Sequence, residues 1–400
     1  MATSNAVESS QKGRIVAVGD IHGDRDAFAG ILQEAGLIDA DFQWVGGSAT
    51  LVQTGDFMDR GPQVREVMDL LMDLERQAPK HGGRVEILLG NHEGLNLLGV
   101  VRDNSAADAA AFVDDDSGRR RDRAFKDYME MAKRRARQLH RPAPELTPEL
   151  QEQWLSEHPL GFVERMRALG PEGSYGRWLR HRPAVLQLGD TIFLHGGISP
   201  ALAAEQIKKI NERLKKEMEA FDRYKRQMVQ QHFILPFSTF DEMTEAVQTA
   251  LPILQSEAAL TGSADPRQKR LVGNLESVLK INDWYLLSAD GPLWFRGLAM
   301  WPEEQSKPLV EEILEKKGAR HIVIAHTRRA DGRIYTRFGG KVFIIDTSMS
   351  RVYEGGRPAA LEIQGGRFTA IYAGERIMLL DPSDSSADQS DPFTTRTWVL

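Results

Sequence analysis

The chain has 400 residues, 41% of them hydrophobic and 27% charged, with a formal net charge of −6. That length allows one large domain or two medium ones around a sizeable core, and the charge gives no global reason to bind nucleic acid or a membrane surface. The absence of cysteine excludes disulfides, thiolate catalysis, Cys-ligated zinc and iron–sulfur clusters.

The first twelve residues, MATSNAVESSQK, are polar and lack a basic or apolar signal region. They predict a disordered segment (1–12) and a cytoplasmic protein, or a periplasmic one if a signal peptide has been removed. No stretch approaches the ~18 apolar residues of a membrane span. The run RIVAVGD (14–20) then reads as a buried strand, followed at once by His22 and Asp24 in GDIHGD. TLVQTGD (50–56) and VEILLGNHE (85–93) repeat the pattern: a short β-branched run, a glycine, then a polar residue. From Arg119 to His140, Phe125, Tyr128, Met129, Ala132, Ala136 and Leu139 recur at helical spacing, and more helix is expected near 149–155 and 162–167. TIFLHGG (191–197) is a further strand. A second helical stretch, 201–286, is punctuated by Pro236 and Pro252. HIVIAHT (321–327) and VFIIDTS (342–348) complete six strands with polar ends, and the Ser/Asp-rich tail after residue 382 reads as mobile until its last three residues. Functional groups of α/β proteins gather beyond strand ends, so six such ends form an active-site rim.

The domain order expected is catalytic core 13–102, helical insertion 103–180, core 181–200, helical insertion 201–286, core 287–382 and tail 383–400. The insertions are expected to form one cap over the strand-end face. Between Arg119 and Arg141 there are ten Lys/Arg against three Asp/Glu, a local balance of +7. This is either a solvated helix face or a basic lip that steers anionic substrates.

The strand ends supply Asp20, His22, Asp56, Asn91, His92, His195 and His326. All but His92 suit two borderline-hard metal ions, which take imidazole nitrogen and carboxylate or amide oxygen. Two metals ~3.5–4 Å apart share a carboxylate and clamp a bridging hydroxide. Asp56 is the natural bridge, with Asp20 and His22 on one metal and Asn91, His195 and His326 on the other. Mn²⁺ is expected to support activity in vitro, with Fe or Zn as alternatives. The remaining histidines, such as His321, lie without a carboxylate pattern and read as structural.

In this order, the words GDIHGD, GDFMDRG, GNHE, HGG and AHT resemble the calcineurin-like metallophosphoesterases, and more narrowly their phosphoprotein phosphatase branch. The resemblance covers about half of the chain, the strands and their loops. It implies an α/β fold, a β-sandwich flanked by helices (αββα), here with the helical insertions as a cap. The last motif reads Ala325-His326-Thr327-Arg328 without the second His common in the phosphodiesterases, and Arg60 in MDRG matches the arginine that grips the substrate phosphate. Asp59 resembles the aspartate that orients the imidazole of the general acid, here His92. Three features depart from the branch. Ala325 replaces a glycine, the Ser-Ala-Pro-Asn-Tyr element is absent, and IIDTSMS stands in its place. GPLWFRG around Arg296 and DTSMS look most like the Shewanella-like phosphatases. Arg296 is the second phosphate clamp, and Arg177 and Arg180 are further candidate phosphate contacts. Glu93 is read as loop support, and Asp24 as a turn or helix-cap residue.

Attack of a metal-bridging hydroxide on a phosphomonoester is therefore expected, with phosphoprotein, and phosphotyrosine in particular, as substrate. A second reading is a small-phosphoester or nucleotide hydrolase, including dinucleoside polyphosphates. A third is a weakly catalytic scaffold whose cap binds a partner. Neither nucleic acid nor membrane is an expected partner.

Overall fold

The computed structural model describes residues 13–261, 266–383 and 398–399. The expectations for residues 1–12, and for 384–397 and Leu400 of the tail, lie outside them. The described chain divides into two compact units. One comprises Met1–Gly94, Arg182–Leu214 and Tyr285–Leu400, the other Leu95–His181 and Lys215–Trp284.

The first unit is a two-sheet sandwich with flanking helices. Its apolar runs become strands because β-branched side chains fit a pleated surface that is covered on both faces. β1 (Ile15–Val18), β2 (Thr50–Gln53) and β3 (Arg84–Ile87) lie parallel, with Ile15 opposite Thr50 and Thr50 opposite Arg84. Parallel neighbours need crossovers, which α1 (Arg25–Glu34) and α2 (Val64–Gln77) supply. α3 (Asn91–Leu98) follows β3. The second sheet uses β4 (Val185–Leu188), β5 (Thr191–Leu194), β6 (His321–Ile324), β8 (Tyr335–Arg337) and β9 (Val342–Ile344) in the order β4-β5-β6-β9-β8. β5, β6 and β9 are again parallel. The short β7 (Arg328–Arg329) pairs elsewhere. β10 (Ala359–Gln364), β11 (Arg367–Tyr372) and β12 (Glu375–Leu380) return to the first sheet as an antiparallel meander, giving the order β12-β11-β10-β1-β2-β3. β13 (Trp398–Val399) pairs with β7.

The core between the sheets is built from Ala17, Val52, Leu88, Phe193, Val323, Phe343, Leu361 and Phe368, all essentially buried. Phe343 of β9 and Phe368 of β11, one from each sheet, stack with centroids 4.1 Å apart and planes 8° from parallel. Burying a side chain of this size contributes about 1.5–3 kcal/mol. The packed sheets thus hold their strand ends rigidly.

The second unit is helical. It holds α4 (Ala106–Ala110), α5 (Ser117–Gln138), α6 (Pro148–Glu157), α7 (Phe162–Leu169), α8 (Ser174–Leu179), the later part of α9 (Ile207–Gln230), α10 (Phe240–Thr261) and α11 (Pro266–Val278). Ala124, Phe125 and Met129 of α5 pack against Trp154, Phe162, Met166 and Phe237. Thr147 caps α6 by accepting from Leu150 N–H at 3.2 Å. One expectation is corrected. Pro252 does not punctuate the chain but lies inside α10. The buried Met243, Ala246, Val247 and Ala250 hold the helix together through the missing N–H.

Candidate metal centre

Three parallel strands in each sheet deliver polar residues from their C-terminal ends. β1 leads to Asp20 and His22, β2 to Asp56 and β3 to Asn91 and His92. In the second sheet β5 leads to His195, β6 to His326 and β9 to Asp346. All of these side chains are buried. Two loops are stitched together beneath them, since the N–H groups of Ile21 and His22 both donate to Asp56 O, at 2.9 and 3.0 Å. The space is tight: a Cβ on Gly90 would lie 2.2 Å from Asp56 Oδ1. His22, Asp56, Asp59, Arg60 and His326 all have positive φ, from 44° to 71°. Such left-handed non-glycine backbones cost about 1–3 kcal/mol each and cluster at functional sites.

Asp56 occupies the middle. Its Oδ1 accepts the His92 N–H at 2.9 Å. Its Oδ2 lies 3.2 Å from His195 Nε2 and 3.8 Å from the Nε2 atoms of His22 and His92. Burial works to raise the Asp56 carboxyl, but His195, His92 and His22 around it hold it well below the usual carboxylate range. Asp20 is pushed the other way, by burial first and then by the charges of Asp346 and Asp56. Asp346 is itself raised by burial.

The hydrogen-bond pattern tests whether cations fit here. His195 Nδ1 is 3.1 Å from Thr54 O, and His22 Nδ1 is 3.0 Å from Met58 O, so Nδ1 of each ring donates to a carbonyl, and a ring carrying that single proton keeps its lone pair on Nε2. His195 Nε2 then faces two acceptors, Asn91 Oδ1 at 2.9 Å and Asp56 Oδ2. His22 Nε2 faces Asp20 Oδ2 and Asp56 Oδ2, both at 3.8 Å. Among the described residues, His326 Nε2 is buried with no hydrogen-bond partner. Lone pairs converging on lone pairs are what an ion requires and what a proton network would avoid. The donors fall into two groups, His22–Asp56–His92 and Asp56–His195–His326, with Asp56 common to both. Burial lowers the His22 pKa to about 3 and holds His326 well below the ordinary value, so both rings are neutral and able to ligate.

His92 differs from the other imidazoles. Burial opposes its charge, yet Asp56 and the Asp59 carboxylate, 2.8 Å from Nδ1, push its pKa up to about 9. A protonated ring donates and does not ligate. Arg60 Nη2 lies 3.2 Å from His92 Nε2, and the exposed guanidinium also bonds the Tyr353 hydroxyl. Arg296, half-buried, donates from Nη1 to His326 O at 2.5 Å and Thr327 Oγ1 at 3.0 Å.

Glu93 supports the loop. Its Oε2 accepts from the N–H groups of Asp56 (2.7 Å) and Gly90 (2.8 Å), and its Oε1 from those of Phe57 and Met58 (both 3.1 Å). Asp24 caps α1 through Ala27 N–H at 3.0 Å and is clasped by Arg351 at 2.9 Å through both oxygens. Sequence reasoning did not single out Asp346 or Tyr353. Asp346 ends one of the six apolar runs, which was the available signal. Tyr353 carried none. Arg177 and Arg180 belong to the helical unit. There Arg180 directs four bonds to Asp222, Leu169 O and Gly176 O, and Arg177 donates to Glu172 O. The structure thus gives both arginines partners inside that unit.

A sandwich whose strand ends surround a shared carboxylate with imidazoles and an amide is the architecture of a metallophosphoesterase. Residues 13–245, more than half of the chain, match the calcineurin-like phosphoesterase family, and the chain belongs to it. This family uses divalent metals. An uncharacterized protein of Schizosaccharomyces pombe is 27% identical over 374 residues, covering 91% of this chain and 82% of that one. The Shewanella-like protein phosphatase 1 of Plasmodium berghei is 24% identical over 350 residues, covering 86% and 70%. The solved cold-active protein-tyrosine phosphatase of a psychrophilic Shewanella species shares the fold, with a TM-score of 0.56 and 22% identity over 92% of this chain and 81% of that one.

Proposed function

We propose that this phosphoesterase is a phosphomonoesterase acting on phosphoprotein, with phosphotyrosine preferred and Mn²⁺ as the ion that supports activity in vitro. The observation that carries the monoester reading is Arg60 Nη2 lying 3.2 Å from His92 Nε2, beside the shared carboxylate. A planar guanidinium suits a monoester, whose phosphate carries one more terminal oxygen and one more negative charge than a diester's. Asp20, His22, Asp56, Asn91, His195 and His326 would hold the metals. When bound, divalent ions supply Lewis acidity at the phosphoryl group and lower the pKa of water.

The chain's own groups do the rest. Arg60 and Arg296 neutralise equatorial oxygens as charge develops in the transition state. His92 delivers its Nε2 proton to the leaving oxygen, and Asp59 fixes the ring by accepting from Nδ1. Glu93 keeps the Asp56 loop in place through four backbone N–H groups.

Support for phosphoprotein comes from the Plasmodium berghei relative, which is described as a protein phosphatase, and for tyrosine from the Shewanella neighbour, described as a protein-tyrosine phosphatase. A phosphotyrosine also holds its phosphorus farther from the peptide backbone than a phosphoserine does, which suits a metal centre whose ligands are all buried. Matched phosphotyrosine and phosphoserine peptides should differ at least about tenfold in kcat/KM, or roughly 1.4 kcal/mol in barrier. Equal values, or activity confined to nucleotides, would overturn this reading.

A further inference from the structure

The helical unit contains a cavity of about 500 Å³, within the ordinary range for small-molecule sites. Its apolar wall is made by Leu97, Met166, Leu169, Phe221, Val229 and Pro236, from four segments of the unit. Gly99 keeps the floor open: a Cβ there would meet Met166 Cε at 3.2 Å and lie 3.8 Å from Lys225 Nζ. Arg167, Glu172, Arg226 and Gln230 stand exposed at the rim.

One charged group in this wall has no ion-pair partner among the described residues. Lys225 donates from Nζ to Ser238 O at 2.7 Å, and among the described residues no carboxylate pairs with it. Two of its three N–H donors have no such partner. Its neighbour Asp222 is already taken by Arg180, through two bonds of 2.8 and 2.9 Å. Burial lowers the Lys225 ammonium to about 8, against the opposing pull of Glu242 and Asp222. Taken together, the charged lining residues (Arg167, Arg180, Lys225 and Arg226 against Glu172 and Asp222) leave an excess of two positive charges.

We propose that this cavity is a binding site for an amphiphilic carboxylate, its alkyl or aryl body on the apolar wall and its carboxylate on Lys225. A carboxylate matches the site better than a phosphate does. Lys225 is a point charge with two donors left, while among the lining guanidiniums Arg180 is spent on Asp222 and Arg167 and Arg226 stand exposed at the rim. The site uses no residue of the metal centre, so it is independent of the phosphatase reading.

Isothermal titration of the full chain with octanoate, 1-octanol and acetate tests it. Octanoate should bind with one-to-one stoichiometry and at least ten times more tightly than 1-octanol, and acetate should give no detectable heat. Lys225→Met should bring octanoate down to the affinity of 1-octanol. Met166→Trp, which fills the cavity and keeps the ammonium, should abolish binding of both. That second variant also separates the cavity from carboxylate bound at the metal centre, which it would leave untouched. Octanoate binding no tighter than 1-octanol, or binding unchanged in Met166→Trp, would overturn the proposal even if Lys225→Met failed to fold.

Discussion

Replacing Glu93 with Gln changes one heavy atom and should destabilise the protein by about 2–4 kcal/mol. Each carboxylate oxygen of Glu93 accepts two backbone N–H groups, Asp56 and Gly90 on Oε2 and Phe57 and Met58 on Oε1. An amide has one oxygen and one NH₂, so either orientation turns a donor toward two other donors. Two buried N–H groups left without acceptors cost about 1–3 kcal/mol each, or roughly 2–6 kcal/mol together. Part of this is offset, because burying the carboxylate is itself unfavourable. That penalty shows in a pKa that burial and Asp56 push up to about 7. The net loss is a large fraction of the roughly 5–15 kcal/mol that holds a typical domain together. Urea unfolding would measure it, and metal stoichiometry should fall in parallel, because the same N–H groups hold the Asp56 loop. A Glu93→Gln protein within about 0.5 kcal/mol of wild type, with full metal content, would refute the reasoning.

Three other outcomes are expected. Asp56→Asn should be the most damaging ligand change: chelator-stripped protein should recover hydrolysis of nitrophenyl phosphate with Mn²⁺ in the wild type but not in this variant, and full activity of a metal-free variant would contradict the site. His92→Asn should keep its metal while losing roughly 10²- to 10⁴-fold in kcat on alkyl phosphates and less on nitrophenyl phosphate, whose leaving group needs little protonation; equal losses on both would make His92 structural or a ligand. Pro252→Ala should stabilise the protein by about 1–2 kcal/mol, because a helix-interior proline costs about 3 kcal/mol relative to alanine and its stiffening of the unfolded chain returns part of that. Thermal unfolding would check it, and a drop in Tm would show that α10 depends on the proline.

The sandwich strands were legible because each is a short β-branched run closed by a glycine or a polar residue, a pattern carried by a few neighbouring positions. Asp20, His22, Asp56, Asn91, His195 and His326 stand directly after such runs, and the structure brings them together. Asp346 ends the same kind of run, but no spacing within the sequence distinguishes its carboxylate from a turn residue. Its partnership with Asp20 exists only once β1 and β9 lie in facing sheets. Tyr353 reaches Arg60, and Arg351 reaches Asp24, across about three hundred residues, so no local period could announce either contact. Pro252 misled for the opposite reason. The local rule was sound, and the buried face of α10 outweighed it.

The strand order has a consequence for synthesis. β1 lies inside its sheet, yet it pairs on one side with β10, Ile15 opposite Ile363. At roughly 5–20 residues per second, ribosomes need some 20–70 s between making the two. Throughout that interval β1 presents an open row of amides, the kind of edge that invites pairing with a stranger. The late-arriving meander is therefore a lid on a β-sheet that is otherwise adhesive. His326 is also made late, long after Asp20, His22, Asp56 and Asn91, so the full set of donors exists only once most of the chain has been made. Contacts this distant in sequence make folding slow, and exposed strand edges are where incompletely folded chains aggregate.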